Sequence, residues 1–182
     1  MLERLAGQVE MIATNFPNSP VTSEFISRSK EGLLTRDENP YSHFCVYFAA
    51  HDRGSKEVFI GHHKKSELWI FNGGHIDKDE TPEEALVREI GEEWGIKMDL
   101  ESIGEPKLIT ITTINNQIKH KCKKHYDIWY FVPVLKNTFT PDKEKLNTEF
   151  YTTGWRSISE ARSVITDPNT LKAVSEFEKL FV

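Results

Sequence analysis

Three glutamates within five residues, Glu89, Glu92 and Glu93 in the stretch REIGEEWG at 88–95, constrain this chain more than any other feature. At helical spacings of three and four their carboxylates share a face, and like charges so placed weaken a helix by roughly 0.2–0.5 kcal/mol per pair. Every other local signal nevertheless asks for a helix. Thr81 is an N-cap, Pro82 suits the first helical position, and Glu84 completes a T-x-x-E capping box. Glu83 complements the positive end of the helix dipole, and Gly95 supplies the stop. The spacing predicts a helix over 82–94. At about 100° per residue, Leu86, Val87, Ile90 and Trp94 form its core side, with the three acids on an adjacent arc. Gly91, which costs about 1 kcal/mol against alanine in a helix interior, implies a close approach by another backbone. A solvated acidic face is the bland reading. The acids border the core stripe, however, and Gly73-Gly74 just upstream can turn a carbonyl toward a ligand. Such an oxygen set suits Mg²⁺, Mn²⁺ or Ca²⁺, which would remove the repulsion.

The rest of the chain bounds what surrounds this helix. At 182 residues it holds one domain, or one with decorated ends. Its net charge of -5 argues against a protein that coats nucleic acid, though not against a phosphate substrate held through a cation. No apolar run approaches the ~20 residues that span a membrane. The opening segment alternates charges with Leu2, Leu5, Val9, Ile12 and Phe16 at helical spacing, unlike a signal peptide. A reduced, cytoplasmic setting is expected. Of the two cysteines, Cys45 lies in an apolar run and reads as core. His120, Cys122 and His125 can be written as a metal site, but zinc normally needs a fourth ligand and tighter spacing, so a lysine-rich loop between strands is the preferred reading.

Residues 2–14 and 21–33 read as helices, the second with Phe25, Ile26, Leu33 and Leu34 on its apolar side. They suggest an N-terminal extension over 1–40 packed on a main domain over 41–182. From Ser42 the texture becomes aromatic and β-branched. Strands are predicted at HFCVYFAAH, EVFIGHH and LWIF, with a turn at 52–55 and a close at Asn72-Gly73-Gly74. A further strand pair, PKLITITTI and HYDIWYFVPVL, flanks a turn at Asn115-Asn116-Gln117, with Pro133 marking an edge or bulge. Residues 136–153 read as a long polar loop of functional character, and 158–165 and 168–181 as closing helices. The whole is an α+β layered domain.

Taken together, GGHIDKDETPEEALVREIGEEWGI resembles the Nudix box: Gly74, Glu80, Arg88, Glu89, Ile90, Glu92, Glu93, Gly95 and Ile96 fill every specified position. The preceding strand-turn-strand and the later GWRSISEA extend the resemblance over roughly 42–165. Asn72 departs from the proline that many members carry before the two glycines. The resemblance implies an α/β/α sandwich with a mixed β-sheet. It implies a hydrolase of the MutT-like kind, cleaving a diphosphate in a nucleoside diphosphate linked to another group, with water attacking phosphorus. It also implies Mg²⁺ or Mn²⁺ held by Glu89, Glu92, Glu93 and the carbonyl of Gly74 or Gly73. Arg88 and Glu80 match a pair that braces the box and orients a catalytic glutamate, a structural salt bridge in either case. The proton acceptor falls to a box carboxylate, Glu89 or Glu92, or to a distant loop, where Glu149 is preferred.

Substrate contacts are expected from His75, His125, Asp127 and Glu149. His43, His62, His63 and His120 also stand at or near strand ends, although each alone reads more simply as a surface or packing histidine. Strand alternation puts His125 and Asp127 on one side and Tyr126 on the other. Markers of the ADP-ribose, diadenosine polyphosphate and NADH subclasses are not evident, so a nucleotide-type small molecule is the expected partner, without membrane or nucleic-acid polymer. A homodimer is compatible with the N-terminal helices. A non-catalytic nucleotide-sensing module is the alternative; such modules usually lose box glutamates, and here all are present. An isoprenoid diphosphate isomerase would need cysteine and glutamate motifs not found here.

Overall fold

The computed structural model describes residues 2–114 and 121–182; the turn expected at 115–117 and His120 lie outside them. In chain order the elements are α1 Leu2–Thr14, α2 Thr22–Ser29, β1 Ser42–Asp52, β2 Glu57–His63, β3 Trp69–Ile70, β4 Asn72–His75 and α3 Pro82–Glu93. There follow α4 Leu100–Ile103, β5 Leu108–Thr113, β6 Lys124–Pro133, α5 Lys143–Glu149, β7 Phe150–Ser157, α6 Ile158–Val164 and α7 Pro168–Leu180. Strand pairing follows the order β3-β2-β1-β6-β5, with β4 on β1 and β7 on β2. The fold class is α+β with a mixed sheet, as expected. Among the described residues no helix is long and apolar enough to cross a membrane.

Two compact units emerge from the packing. The first holds Met1–Tyr47, Gly73–Leu86 and Leu108–Trp129. Leu5, Val9 and Ile12 of α1 are buried as their spacing predicts, and Phe25 of α2 meets Phe44 and Tyr126 edge-on, with ring centroids 5.6 and 5.4 Å away. Helix α2 ends earlier than its composition suggests. Gly32 and Leu33 take left-handed φ of 73° and 51°, which breaks the helix and leaves Leu33 exposed rather than on the apolar side. The buried Arg28 guanidinium caps this break, donating to the carbonyls of Gly32, Leu33 and Ser42 at 2.7–2.8 Å. Strand β5 pairs antiparallel with β6 from Leu108↔Trp129 to Thr113↔Lys124. The glycine pair expected to close a strand instead forms β4. A Cβ on Gly73 would stand 2.7 Å from the Val46 carbonyl oxygen, so the close strand contact requires glycine there.

The second unit holds Phe48–Asn72, Val87–Lys107 and Tyr130–Val182. The later part of the long loop expected over 136–153 holds a helix, α5, and the start of a strand, β7. Asp142 caps α5 by accepting from the amides of Glu144 and Lys145, and Leu146 buries its single apolar face. Strand β7 then pairs with β2 from Glu57↔Ser157 to His63↔Phe150, with an irregularity at His62/His63. The sequence disguised this because β7 carries Thr152, Thr153 and Gly154 where a buried strand usually carries aliphatics. Phe59, Trp94, Phe139 and Trp155 form an aromatic cluster, and Phe177 of α7 stacks on Phe131 with centroids 3.9 Å apart.

Candidate active site

Helix α3 is built as its sequence signals require. The Thr81 amide donates to Glu84 Oε2 at 2.8 Å and the Glu84 amide to Thr81 Oγ1 at 3.2 Å, the reciprocal capping box. The Thr81 amide also holds the Glu84 carboxyl below its ordinary pKa. Gly95 takes φ 66° at the C-terminal end. Ala85, Leu86, Ile90 and Trp94 are fully buried, whereas Val87, expected on the core side, is half-buried. Gly91 does not serve a close backbone approach: a Cβ there would meet nothing within 4 Å among the described residues. Its carbonyl instead accepts from the Lys145 ammonium at 3.0 Å.

The acids differ in their surroundings. Arg88 Nη1 stands 2.8 Å from Glu89 Oε1 and 3.4 Å from Glu92 Oε2, so one guanidinium holds two of the three carboxylates. Glu92 is exposed over 60% of its side chain and Glu89 over 12%, so the two carboxylates differ in their access to solvent. Glu93 is buried and accepts a hydrogen bond from Asn72 Nδ2, itself 1% exposed. The helical wheel accounts for this: Glu93 falls only about 20° from Leu86, on the flank of the core stripe. The residue that departs from the family's proline thus supports a box carboxylate. Its signal in the sequence was a polar residue immediately before the glycine pair.

The other expected residues fall into separate settings. Gly74 lies in β4 between Gly73 and His75. Glu80 Oε2 accepts from the Asp77 amide at 3.0 Å, closing the turn that leads into α3. Glu149, at the end of α5, pairs with His63 at 3.4 Å, and His62 stacks on Trp69. Asp127 is fully buried, and its Oδ2 accepts from the hydroxyls of Thr110 and Thr112 at 3.0 and 2.6 Å. Tyr126, on the other side of β6, donates to Glu24 at 3.0 Å. His75 and His125 come together with His43, ring centroids 4.8–5.3 Å apart.

The NUDIX domain model matches residues 33–175, so the chain belongs to the Nudix family. An RNA pyrophosphohydrolase of Hydrogenovibrio crunogenus is 28% identical over 109 residues, 54% of this chain and 63% of that protein. One from Tolumonas auensis is 36% identical over 66 residues, 36% of this chain and 34% of that protein. The matched stretches therefore span less than two thirds of these curated relatives. Among solved structures, the E. coli dihydroneopterin triphosphate pyrophosphohydrolase aligns with a TM-score of 0.60 at 16% identity, covering 74% of this chain and 93% of that one. A NUDIX family hydrolase from Clostridium perfringens aligns with a TM-score of 0.57 at 24% identity, covering 77% and 98%. At these identities the likeness speaks for the fold, the α+β sandwich that the box implied.

Proposed function

We propose that this chain hydrolyses a diphosphate bond in a nucleotide-type substrate, with water attacking phosphorus. The observation that supports the reading most is the Arg88–Glu89–Glu92 group at the end of α3, within a box that lacks no specified residue. The donor set fits a hard divalent cation, since Glu89, Glu92 and Glu93 offer only oxygens and Glu92 is open to solvent. Those three residues would hold Mg²⁺ or Mn²⁺. Such a cation supplies charge neutralisation on the phosphate oxygens and a lowered pKa for water.

The chain's own residues do the rest. Arg88 fixes the directions of Glu89 and Glu92. A carboxylate of that pair takes the proton from the attacking water, since neutral water is a poor nucleophile toward the anionic phosphorus centre of a diphosphate. Asn72 holds Glu93 in its buried position. Glu80 orders the turn before the helix through the Asp77 amide. The curated relatives are named RNA pyrophosphohydrolases, which raises RNA alongside free nucleotides as a source of the diphosphate.

The test is release of phosphate and pyrophosphate with Mg²⁺ across nucleoside triphosphates, ADP-sugars, dinucleoside polyphosphates and 5′-triphosphorylated RNA, with products identified in ¹⁸O-labelled water. Hydrolysis with label on a phosphorus oxygen is expected for at least one class. Tight nucleotide binding with no turnover of any class would establish the sensing module instead.

A further inference from the structure

We propose that His43, His75, Cys122 and His125 form a binding site for one Zn²⁺ ion, or a like cation that prefers nitrogen and sulfur donors. Each residue offers one donor atom, and the four atoms lie within 4.8 Å of one another. A tetrahedral zinc with bonds of about 2.0–2.1 Å to nitrogen and 2.3 Å to sulfur sets its donors about 3.3–3.7 Å apart. Cys122 Sγ is already 3.9 Å from His43 Nε2, and the widest gap in the group closes with side-chain movements of about an ångström. Three imidazoles and one thiolate are a closed four-ligand set of the structural kind.

The protonation pattern of His43 suits a ligand. A carbonyl oxygen only accepts, so the 2.9 Å contact from His43 Nδ1 to the Asn39 carbonyl places the proton on Nδ1. The neutral ring then carries its lone pair on Nε2, the atom that faces the thiol. An imidazole whose second nitrogen donates to a backbone carbonyl is the usual outer support of a metal-ligating histidine.

The neighbouring charges are compatible with a cation. Arg36 Nη1 stands 3.4 Å from His75 Nδ1, but the arginine is exposed and can swing away. Lys124 is paired with Glu24 at 2.8 Å, and Lys123 lies over the Tyr41 ring. A second grouping, Cys45, His125 and Asp127, also lies within 4.8 Å, but it offers three donors, and the Asp127 Oδ2 already accepts from two threonine hydroxyls.

The ligands come from β1, β4, β6 and the residue two before β6. A bound ion would clip these strands together and fix the entry to β6, with His75 following Gly74 directly in the chain. This gives His75 and His125 a structural role in place of the expected contact with substrate. The site stands apart from the hydrolase reading, because its donors are nitrogen and sulfur rather than carboxylate oxygen.

The experiment is a Co²⁺ titration of the full chain, stripped by a chelator under reducing conditions and read by optical absorption. The expected result is one equivalent of Co²⁺ giving tetrahedral ligand-field bands and a thiolate-to-metal charge-transfer band. Both should be lost on adding Zn²⁺ and unmoved by excess Mg²⁺. The charge-transfer band should be absent in Cys122→Ser and present in Cys45→Ser, and His75→Asn should weaken binding by at least about tenfold. Carboxylate ligands give no such band, so the box cannot mimic the signal. A wild-type chain with native circular dichroism and no charge-transfer band overturns the proposal. So does a band that survives Cys122→Ser, or one lost in a folded Cys45→Ser.

Discussion

The molecule gathers ligand-type side chains in two places, and the two are opposites in chemistry and in legibility. The carboxylates of α3 are hard oxygen donors carried within five residues of one helix. The imidazoles and thiol at His43, His75, Cys122 and His125 are nitrogen and sulfur donors drawn from positions up to 82 residues apart. In the first group repulsion among like charges is offset by Arg88. In the second, imidazole rings pack against one another and a backbone carbonyl sets the tautomer of His43. The difference teaches that a local cluster announces itself by its electrostatic cost, whereas a cluster assembled by strand pairing leaves only scattered histidines in the sequence.

The largest expected effect separates the two groups by metal. Stripping divalent cations should reduce nucleotide hydrolysis to background, and Mg²⁺ should restore it without producing a thiolate band in the cobalt assay. Restoration by Zn²⁺ alone, with Mg²⁺ inert, would break the division drawn here.

A second test uses His51, the buried histidine of β1 outside the nitrogen and sulfur group. His51, packed against Phe177 and Phe181, is held by burial at a pKa of about 4, well under the ordinary 6.5, with Arg53 adding to the effect and Asp52 opposing it. A depressed histidine pKa means the unfolded chain binds a proton that the native one refuses. Stability is therefore complete above pH 6.5 and falls as pH drops toward 4, by up to about 3 kcal/mol. Urea midpoints measured from pH 7.5 to 4.5 should fall in wild type and fall less steeply in His51→Phe. Equal slopes in the two proteins would place the loss elsewhere.

Next comes the support of Glu93. Asn72→Ala leaves a buried carboxylate without its amide donor and should destabilise the fold by about 1.5–3 kcal/mol in chemical denaturation. Unchanged stability would show that Glu93 is held by other groups. The smallest effect is expected at Gly91. With nothing within 4 Å of a Cβ among the described residues, Gly91→Ala should stabilise by about 1 kcal/mol and leave the cobalt signal unaltered. A lower melting temperature would restore the crowding that its sequence position suggested.

These contrasts follow the line between local and non-local information. Thr81, Glu84 and Gly95 specify α3 by hydrogen bonds within a few residues, so its limits were readable. Its core face was readable except for Val87, whose half-exposure depends on what packs above it. Helix α5 and the first half of β7 read as loop because β7 draws its stability from pairing with β2, roughly ninety residues earlier in the chain. The role of Asn72 was hidden for a similar reason: its partner Glu93 lies 21 residues on. His120 and Cys122 drew attention as neighbours in the chain, yet Cys122 finds its partners in His43 of β1 and His75 of β4.

On the proposed function, the exposed Glu92 carboxylate of α3 works in diphosphate hydrolysis. Its most direct test is the initial rate with Mg²⁺ on the best nucleotide substrate, measured for wild type and for Glu92→Gln at equal folded concentration. A fall of at least about 100-fold in the variant, with nucleotide binding retained, is the predicted result. A variant that turns over at the wild-type rate would contradict the account.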